Sequence, residues 1–269
     1  MATATAYRSV NMNTAETWYG DVSITTSSHI RITDGPYVQN YYGSNFTYNS
    51  FTVTGGTVHS TNYYESGVKI YEITGGPYSA VTVANYINSG NIQGLFSFIF
   101  AGADTFNGSS YADQVNAYGG NDTLKGYGGK DLLKGGSGND LLRGGTGNDV
   151  LVGGSGQDKF RFDTTPNTSN NVDKISDFNG VYDTIQLENT IFTKLVHTGT
   201  LSSANYRESL SGTAADANDH ILYETDTGAL YYDANGSANG GRVKIAVLWD
   251  SASTHPTAGE ISFNDFVVV

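Results

Sequence analysis

The sequence predicts an all-β protein whose middle is a solenoid of nine-residue repeats. An N-terminal antiparallel β domain with a short capping helix precedes the solenoid, and a C-terminal β region follows it. Three observations carry this prediction. Asp104, Asp113, Asp122, Asp131, Asp140, Asp149 and Asp158 recur nine residues apart without a slip. Two positions after each comes an apolar residue, namely Phe106, Val115, Leu124, Leu133, Leu142, Leu151 and Phe160. Glycine fills much of the space between, and the 34 glycines among 269 residues are well above ordinary usage.

Taken in order, residues 1–78 are rich in Tyr, Thr, Ser and Asn and alternate in short runs such as Phe46 to Val53 and Val68 to Ile73, separated by Gly55-Gly56 and Gly75-Gly76. This is the pattern of antiparallel strands with one buried face, a meander or a small sandwich. From residue 79 to 101 the period changes: Ile92, Leu95, Phe96, Ile99 and Phe100 fall on one helical stripe. A single helix that covers the open end of the solenoid is expected there, because the last coil otherwise exposes apolar side chains and strand edges. Residues 102–163 hold the repeats. In residues 164–269, Val172 to Phe178, Asp183 to Leu187, His220 to Tyr223 and Gly228 to Asp233 read as strands, and the chain ends Asn264-Asp-Phe-Val-Val-Val269.

Composition excludes several functions. With 14 Lys+Arg against 26 Asp+Glu the formal charge is −12. Nucleic acid and anionic membranes need clustered basic residues, so neither is an expected partner, and cations are. There is no cysteine, hence no disulfide, thiolate metal site or cysteine nucleophile. The longest apolar stretch, Leu95 to Ala103, is far too short to span a bilayer, and Met1 to Thr17 lacks the pattern of a cleaved secretory signal.

The clearest repeats begin at Gly126, Gly135, Gly144 and Gly153 and fit G-G-x-G-x-D-x-U-x. That nonapeptide is identified as the calcium-binding repeat of RTX (repeats-in-toxin) proteins. The resemblance implies a right-handed parallel β-roll with two nonapeptides per coil, so that residues 18 apart stack at about 4.8 Å. Asp104, Asp122, Asp140 and Asp158 then line one side and Asp113, Asp131 and Asp149 the other. Neighbouring carboxylates at that spacing repel by roughly 1 kcal/mol in water and 3 to 4 kcal/mol at an effective dielectric of 20, and a divalent cation reverses the sign. Carboxylate and carbonyl oxygens with no His or Cys nearby form a hard set that suits Ca²⁺.

The ligand candidates are those seven aspartates together with the turn residues Gly119, Gly120, Gly126, Gly128, Gly129, Gly135, Ser137, Gly138, Gly144, Thr146, Gly147, Gly153, Ser155 and Gly156. The copies around Asp104 and Asp113 depart from the consensus, which makes these two weaker ligands. Ordinary Asn-Asp-Gly turns of a solvated solenoid are the alternative, and they leave the unbroken phase unexplained. Three gaps on one side and two on the other give about five Ca²⁺ ions. At ten times its dissociation constant each ion adds about 1.4 kcal/mol, so calcium is expected to decide whether this region folds.

Residues 100–269 also resemble the C-terminal region of serralysin-type RTX exoproteins, without their protease domain. The resemblance implies a β-sandwich after the roll, an uncleaved type I secretion signal at the end of the chain, export by the type I machinery and an extracellular location. Gln186 stands where that family usually has Asp, which weakens the case for calcium around Asp177 and Asp183. No H-E-x-x-H helix and no G-x-S-x-G elbow is present, and His29, His59, His197, His220 and His255 are scattered. The leading expectation is a secreted, non-catalytic calcium-binding protein whose N-terminal domain binds a polysaccharide, a cell surface or another protein. The rival is a small secreted carbohydrate-active enzyme with the roll as its secretion and folding module, using carboxylates or a pair such as His59 and Glu65.

Overall fold

The computed structural model describes residues 1–6, 21–26, 28–34, 37–48, 53–65, 68–89, 91–236, 241–250, 256 and 260–269. Of the predicted features, Asn49 to Thr52 of the first tyrosine-rich run and His255 lie outside these residues.

The N-terminal part is an antiparallel meander. Its strands are β1 (Thr3–Ala6), β2 (Asp21–Thr25), β3 (His29–Asp34), β4 (Tyr37–Tyr48), β5 (Val53–Glu65) and β6 (Val68–Ser79). They lie in the order β1-β6-β5-β4-β3-β2. Two helices follow where the sequence predicts one: α1 (Ala80–Asn88) and α2 (Ile92–Ile99). Each has its own N-cap, Ser79 accepting from the Thr82 N–H and Asn91 from the Gly94 N–H. Ser89 caps the end of α1 and Asn91 the start of α2, so a continuous stripe does not become a continuous helix.

Seven short strands make the roll: β7 (Thr105–Asn107), β8 (Gln114–Asn116), β9 (Thr123–Lys125), β10 (Leu132–Ser137), β11 (Leu141–Arg143), β12 (Val150–Ser155) and β13 (Lys159–Phe162). Odd-numbered strands pair in parallel in one sheet and even-numbered strands in the other. The period-2 alternation turns each U residue inward. Phe106, Leu124, Leu142 and Phe160 from one sheet meet Val115, Leu133 and Leu151 from the other, all nearly inaccessible.

Both sheets continue past the repeats. Strands β14 (Asp173–Ile175) and β15 (Thr184–Leu187) add in parallel to β12 and β13. The remaining strands are β16 (Gly199–Thr200), β17 (Tyr206–Ser209), β18 (Ile221–Glu224), β19 (Ala229–Asp233), β20 (Arg242–Leu248) and β21 (Phe266–Val268). β21 joins β15 and β20 joins β14, both in parallel. The C-terminal region is thus a prolongation of the two facing sheets, and its core residues Ile175, Ile185, Leu187, Leu248 and Phe266 continue the roll's core.

At the other end, β1 pairs in parallel with β7, which joins the meander to the roll in one sheet. α2 lies against the second sheet's end. Leu95, Phe96, Ile99 and Phe100 share a core with Val115 and Ala117. The Phe100 carbonyl accepts from the Gly119 N–H at 3.4 Å, and Tyr118 donates its hydroxyl to Gln93 Oε1 at 2.7 Å.

Candidate metal centre

The six-residue turns between roll strands stack coil on coil. Their closeness shows at Gly138, where φ is +125° and a Cβ would collide with the Gly120 carbonyl of the preceding coil. A side chain there is excluded by both torsion and contact. Tyr118 and Tyr127 adopt φ of 66° and 68° at the repeat position held elsewhere by Gly136, Gly145 and Gly154. The turn therefore keeps its shape even where the consensus glycine is missing.

Each turn delivers its aspartate to one of two columns. Asp104, Asp122, Asp140 and Asp158 form the first: the N–H of each donates to Oδ1 of the next, at 2.7, 2.8 and 2.9 Å. Asp113, Asp131 and Asp149 form the second, with both bonds at 2.8 Å. These bonds satisfy Oδ1 of Asp122, Asp140, Asp158, Asp131 and Asp149. The other is left over: Oδ2 of Asp104, Asp122, Asp131, Asp140, Asp149 and Asp158 is buried with no hydrogen-bond partner. A buried carboxylate oxygen without a donor is costly, and among the described residues the positive group found beside a ladder aspartate is the N-terminal ammonium, 4.0 Å from Asp104 Oδ1.

The surroundings of these oxygens suit a hard cation. A Cβ at Gly126, Gly135, Gly144 or Gly153 would run into Oδ2 of Asp131, Asp140, Asp149 or Asp158 respectively. The same added carbon at Gly126 or Gly135 would meet the carbonyl of Gly144 or Gly153 in the next coil. The first residue of the repeat thus forms a cradle of carboxylate and carbonyl oxygens that only glycine leaves open. Among the described residues no three His, Cys, Asp or Glu side chains gather into a metal cluster. Any cation here needs main-chain oxygens, as Ca²⁺ sites commonly supply.

Burial sets the electrostatics. It pushes the Asp122 and Asp131 carboxyls up to about 7 and that of Asp140 up to about 6, with neighbouring aspartates adding to the rise and the ladder N–H bonds opposing it. Asp104, Asp149 and Asp158 are raised for the same leading reason. A cation removes this penalty by restoring the charge balance.

The weaker candidates separate. Asp113 Oδ2 accepts from the Ser109 N–H at 2.8 Å and from the Ser109 hydroxyl at 3.0 Å, so the non-consensus copy supplies its own donors. Asp104 keeps a bare Oδ2. Two further rungs were not read from the sequence. Asp158 N–H donates to Asp183 Oδ1, and Asp149 N–H to Asp173 Oδ1. Their spacings of 25 and 24 residues break the nine-residue count, yet both keep the D-x-U signature, Asp173-Lys-Ile175 and Asp183-Thr-Ile185. Asp183 Oδ2 is taken by the Asn179 N–H, and Asp177 accepts from the N–H groups of Gly153 and Gly154, so these oxygens are already engaged.

A second ladder runs beside the first, also unread from sequence. Asn121 Oδ1 accepts from the Asn139 N–H and Asn139 Oδ1 from the Gln157 N–H, both at 2.8 Å. It points opposite to the aspartate ladder, so the two junctions from Asp122 to Asp158 are stitched in both directions. Among the described residues the histidines do not gather. His29 meets Asn40, His59 meets Ser44 and Thr57, and His220 meets the Asp233 carbonyl. His59 and Glu65 lie six residues apart on the single strand β5, roughly 20 Å, too far to act as a pair.

The sequence model of the RTX calcium-binding nonapeptide repeat (4 copies) matches residues 98–133 and 126–160. Among curated proteins nothing matches. Of solved structures, the solution structure of the AlgE6R3 subunit of the Azotobacter vinelandii mannuronan C5-epimerase is similar at 23% identity, covering 60% of this chain and 86% of that one, with a TM-score of 0.22. With its seven in-phase aspartates and matching nonapeptides, the segment 98–160 is an array of RTX calcium-binding repeats folded as a parallel β-roll.

Proposed function

We propose that the chain is a secreted protein whose roll folds on meeting extracellular calcium and thereby presents a non-catalytic N-terminal binding or adhesion domain. The observation that carries this reading is the six buried, donor-less Oδ2 atoms, four in one column and two in the other. Asp104, Asp122, Asp131, Asp140, Asp149 and Asp158 would hold Ca²⁺ together with turn carbonyls, about five ions in all. Calcium supplies charge compensation between coils; the chain supplies the spacing, the cradles and the exclusion of water. Asp113 would serve as a ladder donor to Asp131, with Ser109 engaging its carboxylate, more than as a ligand.

Extracellular modules bind Ca²⁺ at about 10⁻⁴ to 10⁻³ M, so the chain would stay loose where calcium is scarce and fold after export. The division into residues 1–78, 79–101, 102–163 and 164–269, and type I export through the C-terminal signal, belong to the same proposal. No helix among the described residues is long and apolar enough to cross a membrane.

The test is circular dichroism of the whole chain during calcium titration. The β signal and melting temperature should rise over that concentration range and fall back on chelation; a chelated sample that keeps both would end the calcium reading. Titration against polysaccharides, scored for binding and for new reducing ends, tests the second half, and product formation would replace the adhesion reading with the enzymatic one.

A further inference from the structure

The aspartate ladder does not stop at Asp104. Asp104 N–H donates to Asp122 Oδ1, and in the same manner the Ala2 N–H donates to Asp104 Oδ1. Thr105 N–H returns a bond to the Ala2 carbonyl at 2.9 Å. The register continues along β1: Thr3, Ala4 and Thr5 pair with Thr105, Phe106 and Asn107, which pair in turn with Thr123, Leu124 and Lys125. Ala2 therefore stands in the place of a coil's aspartate and Ala4 in the place of its inward apolar residue, although both come from a segment a hundred residues away. Ala2, Ala4 and Ala6 are buried.

The other edge of β1 belongs to the meander. Thr3, Ala4, Thr5 and Ala6 pair antiparallel with Thr74, Ile73, Glu72 and Tyr71 of β6. A Cβ at Gly75 would come within 2.8 Å of Ala2 Cα, so β6 closes tightly over the residue that Asp104 holds. Four residues thus splice a parallel roll to an antiparallel meander, and each half uses the same backbone as its edge partner.

We propose that β1 is the zeroth rung of the roll and couples the meander to calcium. The proposal rests on the calcium reading above and deepens it. Calcium that orders the first coil fixes Asp104 and β7, which seat Ala2 and β1, which in turn complete the edge on which β6 pairs. A four-residue strand paired on one side alone is a weak template, whereas one paired on both sides is held. The meander's surface is then displayed in its final form only where the roll is loaded.

Hydrogen exchange of the full chain, followed by mass spectrometry across a calcium titration, tests this. In the wild type, peptides of the meander (53–79) and of the roll (123–160) should both slow, by about tenfold or more, with one shared calcium midpoint. In Ala4→Asp, which puts a charge against Phe106, roll peptides should still respond while meander peptides lose their response. Should that variant fail to fold at all, Ala4→Gly decides: its meander midpoint should move to higher calcium than its roll midpoint. Meander protection that ignores calcium in the wild type, or variant midpoints that stay together, would overturn the coupling alone. A roll that ignores calcium would overturn the calcium reading and the coupling with it.

Discussion

The roll and the meander share one sheet and are held by different means. In the roll, strands of three to six residues repeat a single junction, stitched by side-chain oxygens that accept main-chain N–H bonds from the neighbouring coil. In the meander, β4 and β5 run 12 and 13 residues with several register shifts between them. Its contacts join side chains across strands, His29 with Asn40, Asn40 with Asn62, Tyr71 with Gln39 and the stacked rings of Tyr63 and Tyr71, and its Lys69–Glu72 ion pair at 3.0 Å is balanced within β6. Among the described residues, one half buries a carboxylate at every junction and the other does not. Periodicity makes this economical, because one residue choice is reused at every rung, but it also repeats the same unbalanced charge at every rung.

The largest separation between the halves should come from the core. Leu142 is fully buried between stacked neighbours that cannot collapse into its space. Leu142→Ala should cost about 3 to 5 kcal/mol in urea unfolding at saturating calcium. In the meander, Thr61→Ala removes a hydroxyl that donates to the Asn40 carbonyl at 2.7 Å, and should cost about 1 to 2 kcal/mol. Equal losses would show that the roll core is looser than its packing implies.

Glycine substitution sharpens the contrast. Gly138→Ala meets both the positive φ and the Gly120 carbonyl, and should cost about 2 to 3 kcal/mol. Gly55→Ala in β5 meets only the flexible Thr47 hydroxyl at ordinary torsion, and should stay within about 1 kcal/mol. Thermal melts in calcium compare the two directly.

Charge gives an effect with two signs. Asn at position 140 keeps an oxygen for the Asp122 N–H while removing the anion. At pH 8 in chelator, Asp140→Asn should strengthen the roll by about 1 to 3 kcal/mol, since the buried carboxyl is held near 6 against an ordinary 3.8. In calcium the same variant should be weaker than wild type, having lost a ligand. The pH response of the wild type follows the same sign. Between about 4 and 7 the folded roll binds more protons than the unfolded chain at Asp122, Asp131 and Asp140, so chelated-state stability is greatest in acid and declines as pH rises through 6 to 7. With calcium the trend reverses over the same window, because the ligand must be deprotonated. Parallel pH trends with and without calcium would contradict this.

These contrasts also explain how far the sequence could be read. The two aspartate columns and the inward row from Phe106 to Phe160 were legible because each junction is local and repeated. Asp173 and Asp183 escaped because insertions after Phe162 shift the count, although the D-x-U triplet survives there. The Asn139 ladder escaped because asparagine beside aspartate in a turn reads as turn chemistry alone. Ala2 carried no signal at all: its role exists only once β1 and β7, far apart in sequence, share a register. In the meander, the alternation predicted strands, but register shifts and pairings such as Asn40 with Asn62 follow from contacts between distant segments that no local pattern encodes.

The smallest effect separates the two ladders from each other. Asn139 Oδ1 accepts from the Gln157 N–H at 2.8 Å in an exposed setting where water can replace it, so Asn139→Ala should cost only about 0.5 to 1 kcal/mol. The side chain is uncharged, and its loss removes no carboxylate from the column. The melting temperature in calcium should therefore drop slightly while the calcium midpoint and its pH dependence stay where they are. A variant that instead flattened the pH dependence, as Asp140→Asn is expected to reduce it, would mean that the neutral ladder positions the cradle oxygens and that the two rows act as one ligand system.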